Sequence, residues 1–186
     1  MEGNARLTGS IAALLLVLLA AEGLTVVHVG ALLKPHVVIG MILVPPILLK
    51  ISSTGYRFAR YYAGSPAYRR KGPPPMLLRL LGPFVVVLTV ILFSSGIALL
   101  FMARSLRQDL LLLHRFSFIL WFGAMTVHVL AHLADTARLA PRDWYSRTRG
   151  QVAGATIRQW MLVTSIGLGI LLGVLLLGKV RPYLAS

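Results

Sequence analysis

The chain has 186 residues, of which 57% are hydrophobic and 13% are charged, and it contains no cysteine. This composition, with a mean hydropathy of +0.79, indicates a membrane protein and not a water-soluble domain. The net charge of +14 comes from basic residues in short loops between apolar runs. That pattern argues against nucleic-acid binding, which needs a contiguous basic surface. The lack of cysteine excludes disulfides, thiolate metal sites and cysteine nucleophiles.

The apolar runs predict an all-α, polytopic transmembrane helix bundle of about five helices, forming a single integral membrane domain over residues 1–186. A membrane-crossing helix needs about 20 mostly apolar residues, so the chain has room for five crossings and for no soluble domain. The first run continues to Val29 without a small-residue cleavage site, and we interpret it as a mature helix and not as a signal peptide. The predicted helices cover about residues 7–29, 36–60, 76–103, 110–134 and 156–177.

The connections between these helices differ in length and composition. Residues 31–35 suffice only for a tight turn, so helix 2 must return beside helix 1. Pro45 and Pro46 lie within helix 2 and should kink it, because prolines remove backbone donors. Residues 64–75 are rich in glycine, proline and charge, which is typical of a linker outside the membrane. Helices 3 and 4 are expected to be antiparallel neighbours.

Basic residues divide unequally between the two predicted sides of the membrane. Because positively charged loops stay in the cytoplasm, we expect an integral protein of the plasma (inner) membrane with a cytoplasmic N-terminus and an outer C-terminus. The cytoplasmic side then carries Arg57, Arg60, Arg69, Arg70, Lys71, Arg79, Arg138, Arg142, Arg147, Arg149 and Arg158, and the outer side carries Lys34, Arg104, Arg107, Arg115, Lys179 and Arg181.

Helix 4 carries three of the five histidines, and their spacing indicates a shared face. His114 and His128 are 14 residues apart, which at about 100° and about 1.5 Å per residue brings them to within about 40° of one face, about 21 Å apart in depth. His132 follows one turn later. Ionisable groups within a membrane are costly and are therefore candidates for function. A straight stripe of imidazoles is what two stacked haems require.

His36, at the outer end of helix 2, has the same predicted depth as His114 at the outer start of helix 4. The iron of a b-type haem takes axial ligands from facing helices, and imidazole is a common choice. We therefore predict His36 and His114 as the axial ligands of an outer haem b. With these spaced histidines, residues 33–135 resemble the dihaem membrane cytochromes b, including the cytochrome b561-like group. The resemblance implies that four of the five helices form a haem-binding bundle.

The resemblance also implies a second ligand 14 residues after His36, where this chain has Lys50. Lys50 could ligate iron as a neutral amine, pair with a haem propionate or extend to the cytoplasmic surface, and we favour the last two. His128 and His132 could then be an inner ligand and a partner of a propionate or a quinone, with their pairing left open. His36, His114 and His128 are the candidate metal ligands for one haem or two.

Helix 1 adds two further candidate groups. His28, near its outer end, could be an alternative outer ligand, a donor to a propionate or an interfacial residue without a function. Glu22 lies deeper, where a carboxylate needs a partner. It could relay protons to a quinone near the outer haem, or it could hydrogen-bond a neighbouring helix.

These features predict a membrane b-type cytochrome that transfers electrons between a redox partner and quinone or a second partner. We expect an electron-transfer subunit and not a self-contained catalyst, with lipid, haem, possible quinone and a redox protein as its partners. Hydrolysis is not expected, because no glutamate follows His128 as in a zinc hydrolase helix. The alternative is a cofactor-free structural or transporter-like subunit whose histidines make interhelical hydrogen bonds.

Overall fold

The computed structural model describes residues 2–69, 72, 76–102, 104–139 and 154–180, and within these ranges the chain is helical apart from short turns and contains no strand. The predicted all-α class is therefore confirmed. The α-helices of the described part are α1 (Glu2–Val27), α2 (Leu33–Tyr62), α3 (Pro66–Arg69), α4 (Met76–Phe101), α5 (Arg107–Leu139) and α6 (Ala155–Leu176), with 3₁₀ turns at Arg104–Leu106 and Leu177–Val180.

Five of these helices, all but α3, are long and apolar enough to cross a membrane. Large apolar side chains lie exposed along each of them, and such surfaces suit lipid better than water. The prediction of an integral membrane protein with about five crossing helices is confirmed. Examples of exposed apolar side chains are Val17, Leu24, Leu48, Val87, Phe116 and Leu175.

Some helix ends differ from the predicted bounds. The second helix begins at Leu33 although Pro35 follows, because the N–H groups of a first helical turn have no acceptor within the helix and proline is tolerated there. The first helix begins at Glu2, and α5 continues to Leu139. Part of the chain on which predictions were made lies outside the described residues, namely residue 103, the linker residues Arg70, Lys71 and 73–75, the loop arginines Arg142, Arg147 and Arg149, and Arg181.

The chain divides into two compact units. The first unit, Met1–Lys71 with Ala134–Ser186, contains α1, α2, α3 and α6. The second unit, Gly72–Leu133, contains α4 and most of α5. The sequence predicts a single domain and a four-helix haem bundle. Both depend on how the two units are arranged, so both stay predictions.

In the first unit, α1 and α2 form an antiparallel hairpin. The His28 carbonyl accepts hydrogen bonds from the backbone N–H groups of Ala31 (3.0 Å) and Leu32 (2.9 Å). These bonds reverse the chain directly after α1, as the few residues between the two apolar runs predict. The two helices therefore place residues that are equally far from this turn at the same level.

Polar side chains connect the other end of this hairpin. The Asn4 amide donates to the Ser53 carbonyl at 3.1 Å, and the Thr8 and Ser53 hydroxyl oxygens are 2.6 Å apart. Ser53 is buried. Because a bilayer offers no water to satisfy such groups, these interhelical bonds stabilise the pairing of α1 with α2.

The sixth helix packs on α2 through glycines, and the backbones approach closely. A Cβ atom at Gly169 would lie 2.5 Å from the Ile42 carbonyl oxygen, and one at Gly173 would lie 3.3 Å from Val38. Glycine is therefore required at Gly169. The Ile42 carbonyl is also the group to which residue 46 of an α-helix would donate, and Pro46 has no N–H. The α-hydrogen of Gly169 that points at this oxygen can form a weak Cα–H···O bond in its place.

In the second unit, α4 and α5 form another antiparallel pair. The Trp121 indole is 6% exposed, and its Nε1–H donates to the Thr89 hydroxyl at 2.9 Å. The Thr89 hydroxyl in turn donates to the Val85 carbonyl at 2.7 Å. Thus the polar end of the large buried indole is satisfied within the hairpin.

Candidate functional site

The His36 imidazole, in the first turns of α2, contacts the Glu22 carboxylate of α1. Nδ1 of His36 lies 2.9 Å from Oε1 of Glu22, and the two side chains are 21% and 15% exposed. The turn that joins α1 to α2 brings these residues to the same level. With Glu22 in its ionised form, which only accepts hydrogen bonds, the His36 Nδ1–H is the donor of this contact.

Thr25 completes what we call the Glu22 cluster (Glu22, Thr25 and His36). Its hydroxyl donates to the Glu22 carbonyl at 2.7 Å and lies 3.2 Å from Glu22 Oε2 and 3.3 Å from His36 Nδ1. Thr25 is 5% exposed. A Cβ atom at Gly40 would lie 3.6 Å from Glu22 Oε1, so α2 also covers the carboxylate. The cluster is thus enclosed by both helices.

The His114 imidazole of α5 is held by the backbone of α4. Its Nδ1 lies 3.1 Å from the Leu92 carbonyl oxygen and 3.2 Å from the Ser95 hydroxyl. That hydroxyl donates to the same Leu92 carbonyl at 2.9 Å. A Cβ atom at Gly96 would lie 3.0 Å from Cε1 of His114, so the ring can approach α4 because residue 96 is glycine.

The two histidines share one chemical feature. A carbonyl oxygen, like an ionised carboxylate, only accepts hydrogen bonds, so Nδ1 of His114 carries a hydrogen, and Nδ1 of His36 does so opposite an ionised Glu22. In a neutral imidazole with a hydrogen on Nδ1, the lone pair that can ligate a metal is on Nε2. Both rings are therefore held in the tautomer that ligates through Nε2. Since His36 belongs to the first unit and His114 to the second, their pairing stays a prediction.

His128 and His132 lie side by side on α5. Their ring centroids are 4.8 Å apart, with an angle of 57° between the ring planes, and both side chains are half-buried. His114 lies earlier in the same continuous helix. The helix thus carries the three histidines that the sequence pattern assigns to it, and two of them form a local pair.

Lys50 contacts the opposite helix of its hairpin. Its ammonium group donates to the Thr8 carbonyl at 2.7 Å, and the side chain is half-buried. Lys50 therefore adds to the polar contacts that hold α1 against α2. Pairing of helices is thus a fourth possible role for Lys50, besides iron ligation, pairing with a haem propionate and extension to the cytoplasmic surface.

The two candidates on α1 have different surroundings. His28 lies in the turn after α1, and its side chain is exposed, as an interfacial residue would be. Glu22 is largely covered and contacts His36, which matches the interhelical hydrogen bond that was one of its two predicted roles. The proton-relay role stays a prediction.

Within the described ranges, no group of three or more histidine, aspartate or glutamate side chains could hold a metal ion. A bis-histidine haem takes two protein ligands, so this finding does not bear on it. No protein-family model, curated protein or solved structure matches the chain significantly.

Sequence reasoning missed several groups that hold the candidate histidines. Thr25 is a common residue in an apolar helix, and nothing in its neighbourhood singles it out. The Leu92 carbonyl has no sequence signature, because every residue has one. A signal for the Glu22 contact did exist: Glu22 and His36 are at similar distances from the tight turn, which places them at one level of the hairpin.

Proposed function

We propose that this chain is a small membrane b-type cytochrome that carries electrons between a redox partner and quinone or a second partner. The observation that carries the proposal is the anchoring of both predicted outer ligands through Nδ1. Glu22 accepts from His36, and the Leu92 carbonyl accepts from His114. Metal-ligating histidines almost always donate their other ring N–H to a carboxylate, a backbone carbonyl or water.

The chain's residues fit a haem b in their donor chemistry. His36 and His114 would hold the iron through Nε2, while Glu22 and the Leu92 carbonyl keep the rings in that tautomer. When bound, the haem supplies an iron that gains and loses a single electron. Lipid around the apolar helices would keep water away from the ligands, and burial is one of the means by which a protein sets a haem's potential.

A second, inner haem is the wider form of the proposal. The adjacent rings of His128 and His132 offer one inner ligand and one group for a propionate or a quinone. The contact between Lys50 and the Thr8 carbonyl favours a role other than axial ligation for Lys50, because it places the side-chain nitrogen against the backbone of α1 within the first hairpin.

The proposed setting is the plasma (inner) membrane, with the N-terminus in the cytoplasm and the C-terminus outside, as the basic connections favour. The histidine spacing, similar to that of the dihaem membrane cytochromes b, supports the same class. A redox protein docking on one face, or the quinone pool, would exchange electrons with the haem.

A cofactor-free subunit, structural or transporter-like, is the second candidate. The bonds of His36 to Glu22 and of His114 to Leu92 each join two helices, and interhelical hydrogen bonds are a common role of histidine in membranes. In this case the histidines would pair helices without binding a ligand.

A visible spectrum separates the two candidates. The protein is expressed with adequate haem and purified, and its haem-to-protein ratio is measured. A Soret band with sharp α and β bands after reduction supports the cytochrome. A colourless preparation rejects it.

Substitutions then test the ligands. His36→Ala and His114→Ala should each abolish the absorbance of the outer haem. Thr89→Val is the matched control, because it removes the acceptor of the Trp121 indole within the same α4–α5 contact and leaves every imidazole intact. Unchanged haem content in both histidine variants would show that the ligand assignment is wrong although the class survives.

A further inference from the structure

We infer that Glu22 is a positioning residue that sets how strongly His36 donates electrons, and thereby the reduction potential of the haem that His36 would ligate. The inference rests on the proposed function and deepens it. It assigns Glu22 a role in setting the reduction potential of the haem, which differs from proton relay and from the pairing of helices.

The geometry of the Glu22 cluster is the first step. The bond from His36 Nδ1 to Glu22 Oε1 is 2.9 Å long, and the second carboxylate oxygen lies 3.2 Å from the Thr25 hydroxyl. Thr25 is buried and is tied to the α1 backbone through the Glu22 carbonyl. Thr25 has a single hydroxyl hydrogen, and the Glu22 carbonyl accepts it at the shorter distance of 2.7 Å. The contact of Oε1 with His36 Nδ1 is therefore the one that fixes the carboxylate relative to the ring.

The chemistry of the acceptor is the second step. A hydrogen bond to an ionised acceptor is stronger than one to a neutral acceptor, and the low dielectric between membrane helices strengthens it further. Such a bond draws the Nδ1 hydrogen away from the ring and raises the basicity of the ligating nitrogen. A more basic ligand stabilises ferric over ferrous iron, so the reduction potential falls.

The contrast with His114 is the third step. Its Nδ1 is held by the neutral Leu92 carbonyl, with the neutral Ser95 hydroxyl beside it. The two predicted ligands are thus held by acceptors of different charge. Only the acceptor of His36 can be changed by substitution, because the Leu92 carbonyl belongs to the backbone.

The test is a redox titration of the haem-loaded protein, followed by its visible absorbance. Glu22→Gln keeps an oxygen that can accept from Nδ1 and removes the charge, so the midpoint potential should shift in the positive direction while the haem content and the reduced α band are retained. Glu22→Asp keeps the charge on a shorter side chain and should leave the midpoint closer to that of the unmodified protein. Ser95→Ala, beside His114, is the matched neutral control and should shift it less than Glu22→Gln.

The outcomes separate the inference from the proposed function. If the unmodified protein binds no haem, the proposed function is rejected. This measurement is made before any variant is tested. A Glu22→Gln protein with full haem content and an unchanged midpoint overturns the inference alone. If Glu22→Gln loses haem while Glu22→Asp retains it, the charge of Glu22 is needed for haem binding itself, and the inference about the potential is overturned. Equal loss of haem in both variants overturns it, because Glu22 would then act only in folding.

Discussion

The α1–α2 and α4–α5 hairpins each hold a half-buried histidine through Nδ1, but with acceptors of different kinds. In the first hairpin, the acceptor is the Glu22 side chain, whose second oxygen lies 3.2 Å from the Thr25 hydroxyl. In the second, the acceptor is the Leu92 carbonyl, and the ring lies against Gly96. The orientation of His36 therefore depends on side chains, whereas that of His114 depends on how closely two helix backbones approach.

This difference indicates which changes each histidine tolerates. A substitution at Glu22 alters the ring's acceptor and leaves the helices in place. In the second hairpin, the acceptor belongs to the α4 backbone, and a larger residue at position 96 would push the His114 ring away from it. We therefore expect His36 to respond mainly to a change of charge at residue 22. We expect His114 to respond mainly to a change of packing between α4 and α5.

The largest effect on stability is expected where α6 packs on the first hairpin. Gly169→Ala puts a Cβ atom 2.5 Å from the Ile42 carbonyl oxygen, and since both groups belong to helix backbones, α6 must move away from α2. Such overpacking typically costs about 1–3 kcal/mol. Thermal unfolding in detergent should show a corresponding loss.

Gly167→Ala on the same helix is the matched control, because a Cβ atom there meets no described atom within 4 Å. Alanine favours a helix over glycine by about 1 kcal/mol, so this variant should be as stable as the unmodified protein or more stable. Equal unfolding temperatures for the two variants would contradict the close approach of α6 to α2.

A smaller effect is expected from Gly96→Ala in the second hairpin. The new Cβ atom lies 3.0 Å from His114 Cε1, so the ring must shift and its bond to Leu92 weakens, at a cost of about 1 kcal/mol. The measurement is the haem-to-protein ratio together with the unfolding temperature, and both should fall.

Gly123→Ala is the control for that variant, because a Cβ atom there also has open space around it among the described residues. If Gly96→Ala retains full haem while Gly123→Ala loses it, the contact between His114 and α4 does not orient a ligand. The contrast between a backbone-held and a side-chain-held histidine would then no longer stand.

The smallest effect is expected from Lys50→Met. This change removes the bond to the Thr8 carbonyl, and a single interhelical hydrogen bond in a membrane protein contributes about 0.6 kcal/mol on average. The haem spectrum should be unchanged, and Lys34→Met, at an exposed site, is the control. A lost absorbance band in Lys50→Met alone would identify Lys50 as a ligand after all.

The helices could be predicted from the sequence because lipid imposes a simple requirement. Each crossing needs a long apolar run whose backbone hydrogen bonds close within the segment, and the chain shows five such runs. The structure begins α2 at Leu33, a few residues before the predicted start, because a proline such as Pro35 is compatible with a first helical turn.

The candidate site could be predicted only by residue type. His36, His114 and Glu22 stand out because ionisable groups are rare in apolar helices. Their partners depend on how each helix is rotated and on the level at which helices meet, which a single sequence does not specify. Gly169 shows the same limit, because the sequence contains many glycines and only the contact with Ile42 distinguishes this one.

The contact of Gly169 with Ile42 has a consequence for the order of assembly. Pro46 deprives the Ile42 carbonyl of its usual donor, and the group that approaches this oxygen belongs to α6, which is synthesised long after α2. Until α6 packs on α2, this carbonyl therefore lacks the Cα–H group that Gly169 brings to it. A chain that ends before α6 would leave this carbonyl without the contact that Gly169 supplies.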